Sequence, residues 1–287
     1  DMSMVEALAA CRAGSLRLLD LDDLAPSEEG RPPREDFVPG SLRPCSIAHT
    51  VYATVIAYDS RAFVGHRPTK VADLFNLTEF PGPRALQASP YANLEWALMS
   101  YGVPRREIYD LLSTRRGLDL AFERLDSLTG QLYWWRDGET PVELLESGQV
   151  TMASGYNGRF FSAQVDHDSP IEILWDGQLQ ERQAWVIPKR ARSPEAAWAF
   201  IRYATTTGKM AAIANHIAYG PTRRSASLLI GRHPVSGVDM RPHIPTHPYN
   251  AGSAIQKDVF WYASIYHRVR ERFERWYDRV TDQEKEQ

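Results

Sequence analysis

Short β-rich segments alternate with helical segments along this chain, and this alternation constrains the fold more than any other feature. Strands are predicted at residues 50–59, 150–156, 171–176 and 184–188, where β-branched and aromatic residues are frequent. Segments with clear helix signals lie around and between them. Strands that alternate with helices are typical of α/β layers, so we expect an α/β protein.

The helix signals are mostly N-terminal caps. Ser3 and Glu6 have the spacing of a capping box, in which the hydroxyl and the carboxylate satisfy each other's free amides, and Gly14 is a natural stop. Residues 257–280 have an amphipathic pattern that predicts a long C-terminal helix. The other predicted helix starts are Ser89-Pro90, Thr140-Pro141 and Ser193-Pro194.

Composition argues against several classes of partner. The 287 residues are 43% hydrophobic and 24% charged, which is enough for one large domain or two medium ones. The net charge of −3 leaves no basic field that would hold nucleic acid or an anionic membrane. The sequence contains no run of 18 apolar residues. We therefore expect neither a nucleic-acid partner nor a membrane span.

Sequence motifs give no support for an enzyme. The sequence lacks Gly-x-Ser-x-Gly and the fingerprints of dinucleotide and phosphate loops. Its eight His residues show no ligand-like spacing. We expect no catalytic residue, no cofactor and no metal site. The two cysteines, Cys11 and Cys45, allow either one disulfide or two buried thiols, and composition alone favours the thiols.

The stretch MASGYNGRFFSA, residues 152–163, is the strongest candidate for a binding site. Tyr156, an Asn157-Gly158 turn and Arg159 follow directly after a predicted buried strand. Ligand sites of open α/β sheets lie beyond the carboxyl ends of strands. Tyr156 and Arg159 are therefore candidate ligand contacts. The alternative is that Tyr156 packs in the core and Arg159 forms a surface ion pair.

Three long segments of the sequence resemble one family. Residues 71–86, 132–159 and 184–226 are similar, in the same order, to blocks of the spermidine/putrescine-type substrate-binding proteins of ABC transporters. The resemblance implies the two-lobed type II periplasmic binding protein fold. It also implies a periplasmic monomer that captures a small amine-containing solute between its lobes and delivers it to the permease of an ABC importer.

The resemblance also implies a division of the chain. Residues 1–52 and 189–255 would form lobe 1, residues 53–188 would form lobe 2, and residues 256–287 would form a C-terminal helix that packs toward lobe 2. The strands 50–59 and 184–188 would be the crossovers between the lobes. Family members begin with a strand, a helix and a strand that precede the equivalent of the first residue here. We therefore expect this first unit of lobe 1 to be absent from the chain.

Two family positions match residues at predicted element ends. Ser3 matches a family serine at the start of a lobe 1 helix, where free amides favour polar or anionic groups. Its alternative role is a purely structural cap. Tyr156 matches the aromatic residue that lies against the alkyl chain of the ligand.

The sequence departs from the polyamine pattern around the ammonium groups. Where polyamine binders have carboxylates, this chain has Ser89 and Ala92 in lobe 2 and Glu181 and Gln183 on the return segment. Arg159 adds a cation, which would repel a diamine and pair with a carboxylate. We expect a polyamine or, more in keeping with Arg159, an ω-amino acid such as 4-aminobutyrate, with Glu181 at its amine.

The resemblance changes the interpretation of the cysteines and leaves two other functions open. Paired cysteines in related proteins occupy the places of Cys11 and Cys45, which favours a disulfide. One alternative function is an enzyme on the same fold, since thiamine-degrading enzymes carry a nucleophilic Cys there. The other is ferric-ion binding by adjacent tyrosines, for which residues 260–266 are the nearest match.

Overall fold

The computed structural model describes residues 1–285, which divide into two compact units. Unit 1 combines Asp1–Tyr52 with Gln180–Asn250. Unit 2 combines Ala53–Leu179 with the chain from Ala251 onward. Both units contain strands as well as helices, so the predicted α/β class is confirmed.

The described residues contain these regular elements. The strands are β1 (Met2–Ser3), β2 (Leu42–Arg43), β3 (Ser46–Asp59), β4 (Arg84–Gln87), β5 (Leu132–Trp135), β6 (Met152–Tyr156), β7 (Ile171–Trp185), β8 (Gly220–Pro221) and β9 (Ile255–Gln256). The α-helices are α1 (Met4–Arg12), α2 (Pro33–Asp36), α3 (Asn93–Ser100), α4 (Ile108–Leu112), α5 (Arg115–Asp126), α6 (Thr140–Glu146), α7 (Asn157–Asp166), α8 (Pro194–Ala204), α9 (Thr207–His216), α10 (Arg224–Ser227), α11 (Pro248–Ala251) and α12 (Val259–Lys285).

Unit 1 is built on antiparallel pairs. Strand β1 pairs with the end of β7, which places Ser3 opposite Gln183, and β2 and β8 both pair with the first part of β3. Apolar side chains from β3, from α8, α9 and α10 and from the connecting segments form one buried cluster. Its buried members are Leu24, Phe37, Ile47, Ile187, Ile201, Met210, Ala211 and Ala226.

Unit 2 contains a mixed sheet. The second part of β3 pairs antiparallel with β6, and β6, β4 and β5 are parallel neighbours. Parallel strands are usually covered on both faces and read as continuous apolar runs. The buried cluster fits this rule and includes Val55, Ala85, Trp135, Leu145, Val150, Ala153, Phe160 and Ile171. The described part of helix α12 also belongs to this unit, and residues 286–287 of the predicted C-terminal helix lie outside the described residues.

Two long strands carry the chain from one unit to the other. Strand β3 has 14 residues and leaves unit 1 after Tyr52. Strand β7 has 15 residues and returns after Leu179. The prediction of two separate strands at 171–176 and 184–188 is wrong, because the single strand β7 covers the first and runs on to Trp185, where the second was expected to begin. Residues 180–188, expected in lobe 2, belong to unit 1.

Gly177 explains why the sequence suggested a break inside β7. It has a φ of +63°, a conformation that favours glycine, so the strand bends there without ending. A Cβ at this position would lie 2.2 Å from Cγ2 of Val71, so no other residue fits. The Asp176 carboxylate on the same bend accepts a hydrogen bond from the Val71 amide at 2.8 Å.

Two local predictions about element starts are wrong. The Asn157-Gly158 turn is instead the first turn of α7, which Tyr156 precedes as N-terminal cap residue. Helix α3 begins at Asn93 and not at Pro90, because Ala92 has a φ of +63° that breaks the helical path.

The disulfide that the resemblance predicts is confirmed. Cys11 and Cys45 are joined in unit 1 with their Sγ atoms 1.99 Å apart and their Cα atoms 5.8 Å apart. The bond links α1 to the chain between β2 and β3. Separately, among residues 1–285 no helix combines the length and the hydropathy that a bilayer span requires.

Candidate functional site

Three parallel strands of unit 2 end side by side. Gln87, Trp135 and Tyr156 are the last residues of β4, β5 and β6. The side chains meet: Nε2 of Gln87 lies 3.4 Å from the hydroxyl of Tyr156, and the rings of Trp135 and Tyr156 stand edge to face at 5.6 Å. The carboxyl edge of parallel strands is where open α/β sheets bind ligands. We call these three residues the strand-end triad.

A buried hydroxyl holds the strand-end triad in place. Oγ of Ser154 accepts a hydrogen bond from Nε1 of Trp135 at 2.9 Å and from the Gln87 amide at 3.1 Å. The adjacent side chain of Asn157 is fully buried, and its Oδ1 accepts the amide of Ala53 at 2.9 Å. One strand end therefore fixes both the ring of the tryptophan and the start of α7.

Tyr156 lies between the core and the surface. Its side chain is half-buried and packs against the core cluster of unit 2. A Cβ on Gly138 would lie 3.2 Å from its ring, so the loop after β5 passes directly over it. A Cβ on Gly155, the preceding residue, would lie 2.5 Å from the ring of Phe160. Gly138 thus allows close packing on the tyrosine, and Gly155 allows it on Phe160.

Arg159 lies in the first turn of α7, close to Tyr156. Its Nη1 is 2.7 Å from Oε1 of Glu139, and the two side chains are 55% and 59% exposed. A Cβ on Gly138 would lie within 4 Å of both Tyr156 and Arg159. The structure therefore brings the two predicted residues together, with Glu139 as the partner of the arginine.

The loop that carries Glu139 is held by an acidic cap. Asp137 accepts hydrogen bonds from the amide of Thr140 at 3.1 Å and from its hydroxyl at 2.8 Å. The hydroxyl and amide of Thr140 also hold the pKa of the Asp137 carboxyl below its usual value. The sequence indicated that Thr140 starts α6, and the structure adds that Asp137 is the side chain that binds this helix start.

Ser3 of unit 1 has the predicted capping geometry. Its amide and hydroxyl both donate to Oε2 of Glu6, at 3.0 Å and 2.8 Å. The Glu6 amide donates back to Oγ of Ser3 at 3.2 Å. The capping box confirms the helix start, and the register of β1 and β7 makes Gln183 the neighbour of Ser3.

Glu181 also belongs to unit 1 and has a tyrosine partner. Its Oε2 accepts a hydrogen bond from the hydroxyl of Tyr52 at 2.9 Å. The ring of Tyr52 lies 5.9 Å from that of Tyr219. Glu181 and Gln183 are two residues apart on β7, so they point to the same face of this strand.

The five predicted contacts thus form two groups. Tyr156 and Arg159 lie in unit 2, whereas Ser3, Glu181 and Gln183 lie in unit 1. Of Ser89 and Ala92, the two positions of the lobe 2 helix region where polyamine binders have carboxylates, Ala92 is fully buried.

Sequence reasoning overlooked four polar or aromatic residues beside the predicted ones. Each lies at or beside the end of a strand, or where a strand passes from one unit to the other. These positions were the sequence signal that could have identified them. Their partners could not be found by spacing, because they come from distant parts of the chain. The four residues are Gln87, Trp135, Tyr52 and Tyr219.

The two alternative functions, an enzyme with a nucleophilic Cys and a metal-binding protein, require a free thiol or a group of metal ligands. Both cysteines of the sequence are joined in the disulfide, so neither is a thiol nucleophile. Within residues 1–285, no group of three or more His, Cys, Asp or Glu side chains could hold a metal ion. The strand-end triad offers hydrogen bonds and aromatic faces, which suit binding.

Comparison with known proteins identifies the family. The model for the family described as bacterial extracellular solute-binding protein matches residues 18–246. This chain belongs to the bacterial extracellular solute-binding proteins. Among curated relatives of this solute-binding protein, the gamma-aminobutyric acid-binding protein of Pseudomonas aeruginosa is 31% identical over 276 residues, which cover 96% of this chain and 74% of the relative.

Solved structures show the same fold. MotA from A. tumefaciens B6, determined in complex with glucopine, is 25% identical with a TM-score of 0.81 and covers 97% of this solute-binding protein and 81% of its own chain. The Atu4243-GABA receptor is also 25% identical, with a TM-score of 0.79 and coverages of 96% and 80%. An ABC transporter substrate-binding protein from Bradyrhizobium japonicum USDA 110 is 25% identical with a TM-score of 0.82, at 96% and 81% coverage. The predicted two-lobed α/β binding-protein fold is confirmed.

Proposed function

We propose that this protein binds a small ω-amino acid such as 4-aminobutyrate in the periplasm and delivers it to the permease of an ABC importer. The observation that carries the proposal is the 31% identity, over 96% of the chain, to a gamma-aminobutyric acid-binding protein. The likeness to the Atu4243-GABA receptor supports the same class of ligand. We prefer this class to spermidine or putrescine because of the charge at Arg159.

Arg159 is suited to bind the carboxylate of such a ligand. Its ion pair with Glu139 is more than half exposed on both sides, and exposed pairs of this kind contribute only about 0–1 kcal/mol. A ligand carboxylate can therefore replace Glu139 at small cost and form the bidentate contact that guanidinium favours. Arg159 also lies in the first turn of α7, where the helix dipole adds attraction for an anion.

Aromatic residues are suited to the methylene chain of the ligand. Tyr156 and Trp135 meet edge to face at 5.6 Å, so the half-buried tyrosine ring is held in a fixed orientation. A fixed aromatic face offers dispersion to methylene groups and attraction to a nearby ammonium group. We assign this role to Tyr156.

Three residues of unit 1 are proposed as further ligand contacts. Glu181 is the acidic member, and its hydrogen bond from Tyr52 leaves the carboxylate able to accept from an ammonium group. Ser3 and Gln183 are register partners in β1 and β7 and offer hydroxyl and amide groups. Replacing each residue singly by Ala should weaken ligand binding, and unchanged affinity would remove that residue from the site.

The remaining features of the proposal concern the biology of the protein. Its relatives are binding proteins, so we propose that the solute leaves chemically unchanged, and mass spectrometry of recovered ligand tests this. The Cys11–Cys45 disulfide fits an oxidising compartment outside the cytoplasm. We propose that the protein acts as a monomer and docks on the permease of its importer.

Calorimetry on the Arg159→Ala variant tests the central step. Removing one partner of a desolvated charge pair costs roughly 2–5 kcal/mol, and each 1.4 kcal/mol is about tenfold in affinity. We therefore expect 4-aminobutyrate to bind on the order of 30-fold more weakly to the variant. Putrescine, which has no carboxylate, should bind the variant no more weakly than the wild type.

A matched control separates ligand binding from general surface effects. Arg34 also forms an exposed ion pair, with Nη2 2.9 Å from Oδ1 of Asp22. Arg34→Ala should leave the affinity for 4-aminobutyrate unchanged. If wild-type protein binds putrescine tightly and Arg159→Ala loses it, the proposed polarity of the ligand is wrong. If Arg159→Ala changes no affinity, Arg159 is only the surface partner of Glu139.

A further inference from the structure

Lys257 of unit 2 places its ammonium group against aromatic rings. Its Nζ lies 3.8 Å from the ring centroid of Tyr91 and 4.5 Å from that of Tyr262. The two rings are stacked with their centroids 5.0 Å apart, and Tyr266 stacks on Tyr91 at 4.8 Å. We call Tyr91, Tyr262 and Tyr266 the tyrosine cage.

A buried carboxylate lies next to the tyrosine cage. Glu95 is 0% exposed, and its Oε1 accepts hydrogen bonds from the hydroxyls of Tyr262 and Tyr109, the latter at 3.1 Å. Its Oε2 is buried and has no hydrogen-bond partner. Burial raises the pKa of Glu95, against the opposing effects of the Tyr262 hydroxyl and the charge of Lys257.

The backbone on both sides of Lys257 is fixed. The preceding residues form β9, which pairs with β7. The following residue, Asp258, accepts hydrogen bonds from the amides of Phe260 and Trp261 at 2.9 Å and 3.0 Å and so begins α12. The lysine side chain is thus held at its base, and it contacts the loop 88–92 through Tyr91.

We propose that the tyrosine cage and Glu95 form a binding site for a primary alkylammonium group, and that the chain's own Lys257 occupies this site. Aromatic faces attract cations most strongly where water is excluded. An ammonium group near Glu95 favours the charged form of this carboxyl, against the effect of its burial. A lysine side chain is a butylammonium group tethered to the backbone. The bound lysine fastens the start of α12 to the loop that follows β4.

Removing the Lys257 side chain from the site tests the proposal. Lys257→Ala should lower the melting temperature by about 2–4 °C, the shift that about 1 kcal/mol produces in a chain of this size. Propylammonium chloride should then restore at least half of the loss in a saturable way. Propan-1-ol, which has the same shape without the charge, should not. Adding Glu95→Gln to Lys257→Ala should abolish most of the restoration.

Two controls address binding of propylammonium elsewhere. The wild type retains the proposed solute site, so any stabilisation that it shows is subtracted. Lys209→Ala removes a lysine whose Nζ lies 4.8 Å from a single ring, that of Tyr203, which is 57% exposed. This variant should show no restoration. Equal stabilisation of Lys257→Ala, Lys209→Ala and the wild type would overturn the proposal.

A measurement on the folded wild type reports the surroundings of the Lys257 ammonium group without a comparison of melting temperatures. Reductive methylation with ¹³C-formaldehyde labels the lysine ammonium groups for NMR. The dimethylated Lys257, assigned by its loss in Lys257→Arg, should resonate upfield of the other lysines because it lies over the faces of Tyr91 and Tyr262. A Lys257 signal at the position of an exposed lysine would overturn the proposal.

Discussion

Asp36 and Arg223 of unit 1 form a fully buried ion pair. Both side chains are 0% exposed, with Nη1 of Arg223 3.0 Å from Oδ2 of Asp36. Ser225 donates its amide and hydroxyl to the same carboxylate, at 2.9 Å and 2.7 Å, and Arg223 donates to the carbonyl of Ala25 at 2.7 Å. The carboxylate is therefore well satisfied, and losing either partner would leave a buried charge unpaired.

Replacing Asp36 should be among the most destabilising changes at a polar position. Removing one partner of a buried ion pair costs about 3–5 kcal/mol, so we expect Asp36→Ala to lower the free energy of unfolding by this amount at pH 7. Urea unfolding monitored by fluorescence measures it. Asp22→Ala, which removes the exposed partner of Arg34, should change the free energy of unfolding by a small fraction of that amount.

Acid should narrow the difference in the free energy of unfolding between Asp36→Ala and the wild type. Burial acts to raise the pKa of Asp36, but the hydrogen bonds from Ser225 and Arg223 outweigh it and hold the pKa below the ordinary value of 3.8. A carboxyl with a lowered folded-state pKa stabilises the protein above its unfolded pKa, and this stability is lost as the pH falls through the folded value. A gap that stays constant well below pH 3.8 would contradict this account.

Helix α7 shows how an element can be misread from its first two residues. Asn-Gly is a strong local turn signal, and spacing alone gives no reason to doubt it. The deciding contact is the hydrogen bond from the Ala53 amide to the side chain of Asn157, which joins positions 104 residues apart. The capping box of Ser3 and Glu6 was predictable because its partners are three residues apart.

The difference between local and long-range contacts also explains which residues of the candidate site were predicted from the sequence. Tyr156 and Arg159 follow one strand directly, so their proximity was visible in the sequence. Gln87 and Trp135 reach Tyr156 only because β4, β5 and β6 lie parallel, which requires the register of the sheet. Cys11 and Cys45 were paired correctly through the resemblance to a family, since composition favoured free thiols.

Gly155 should be intolerant of any side chain, although its surroundings are apolar. A Cβ there would lie 2.5 Å from Cζ of Phe160, which is fully buried in the core of unit 2. Overpacking of this kind costs typically 1–3 kcal/mol, so Gly155→Ala should lower the free energy of unfolding by about that amount. Chemical denaturation measures the loss.

Two further variants test the mechanism behind the Gly155 prediction. Gly231→Ala should be close to neutral, because a Cβ at Gly231 would meet no atom within 4 Å. Phe160→Leu should cost less in the Gly155→Ala background than in the wild type, because the smaller side chain relieves the clash. Strict additivity of the two changes would show that the alanine does not press on Phe160.

At the scale of the whole molecule, each unit is assembled from two separate segments of the chain. Unit 1 needs Asp1–Tyr52 to meet Gln180–Asn250, and more than a hundred residues of unit 2 lie between them. Closing such long loops has an entropic cost that local contacts do not offset. The Cys11–Cys45 disulfide lowers the conformational entropy of the first segment in the unfolded chain, since it joins residues 34 positions apart.

The Cys11→Ser/Cys45→Ser double variant should therefore be destabilised mainly through its unfolded state. For a loop of this length the chain-entropy model gives about 3–4 kcal/mol. We expect the free energy of unfolding to fall by about 2–4 kcal/mol, while the affinity for 4-aminobutyrate stays within about twofold of the wild type, because neither cysteine is among the proposed contacts. Dithiothreitol should destabilise the wild type to the level of the double variant and leave the variant unchanged. If affinity falls together with stability, the disulfide also shapes the binding residues of unit 1, and Ser3, at the start of the helix that carries Cys11, is the residue through which it would act.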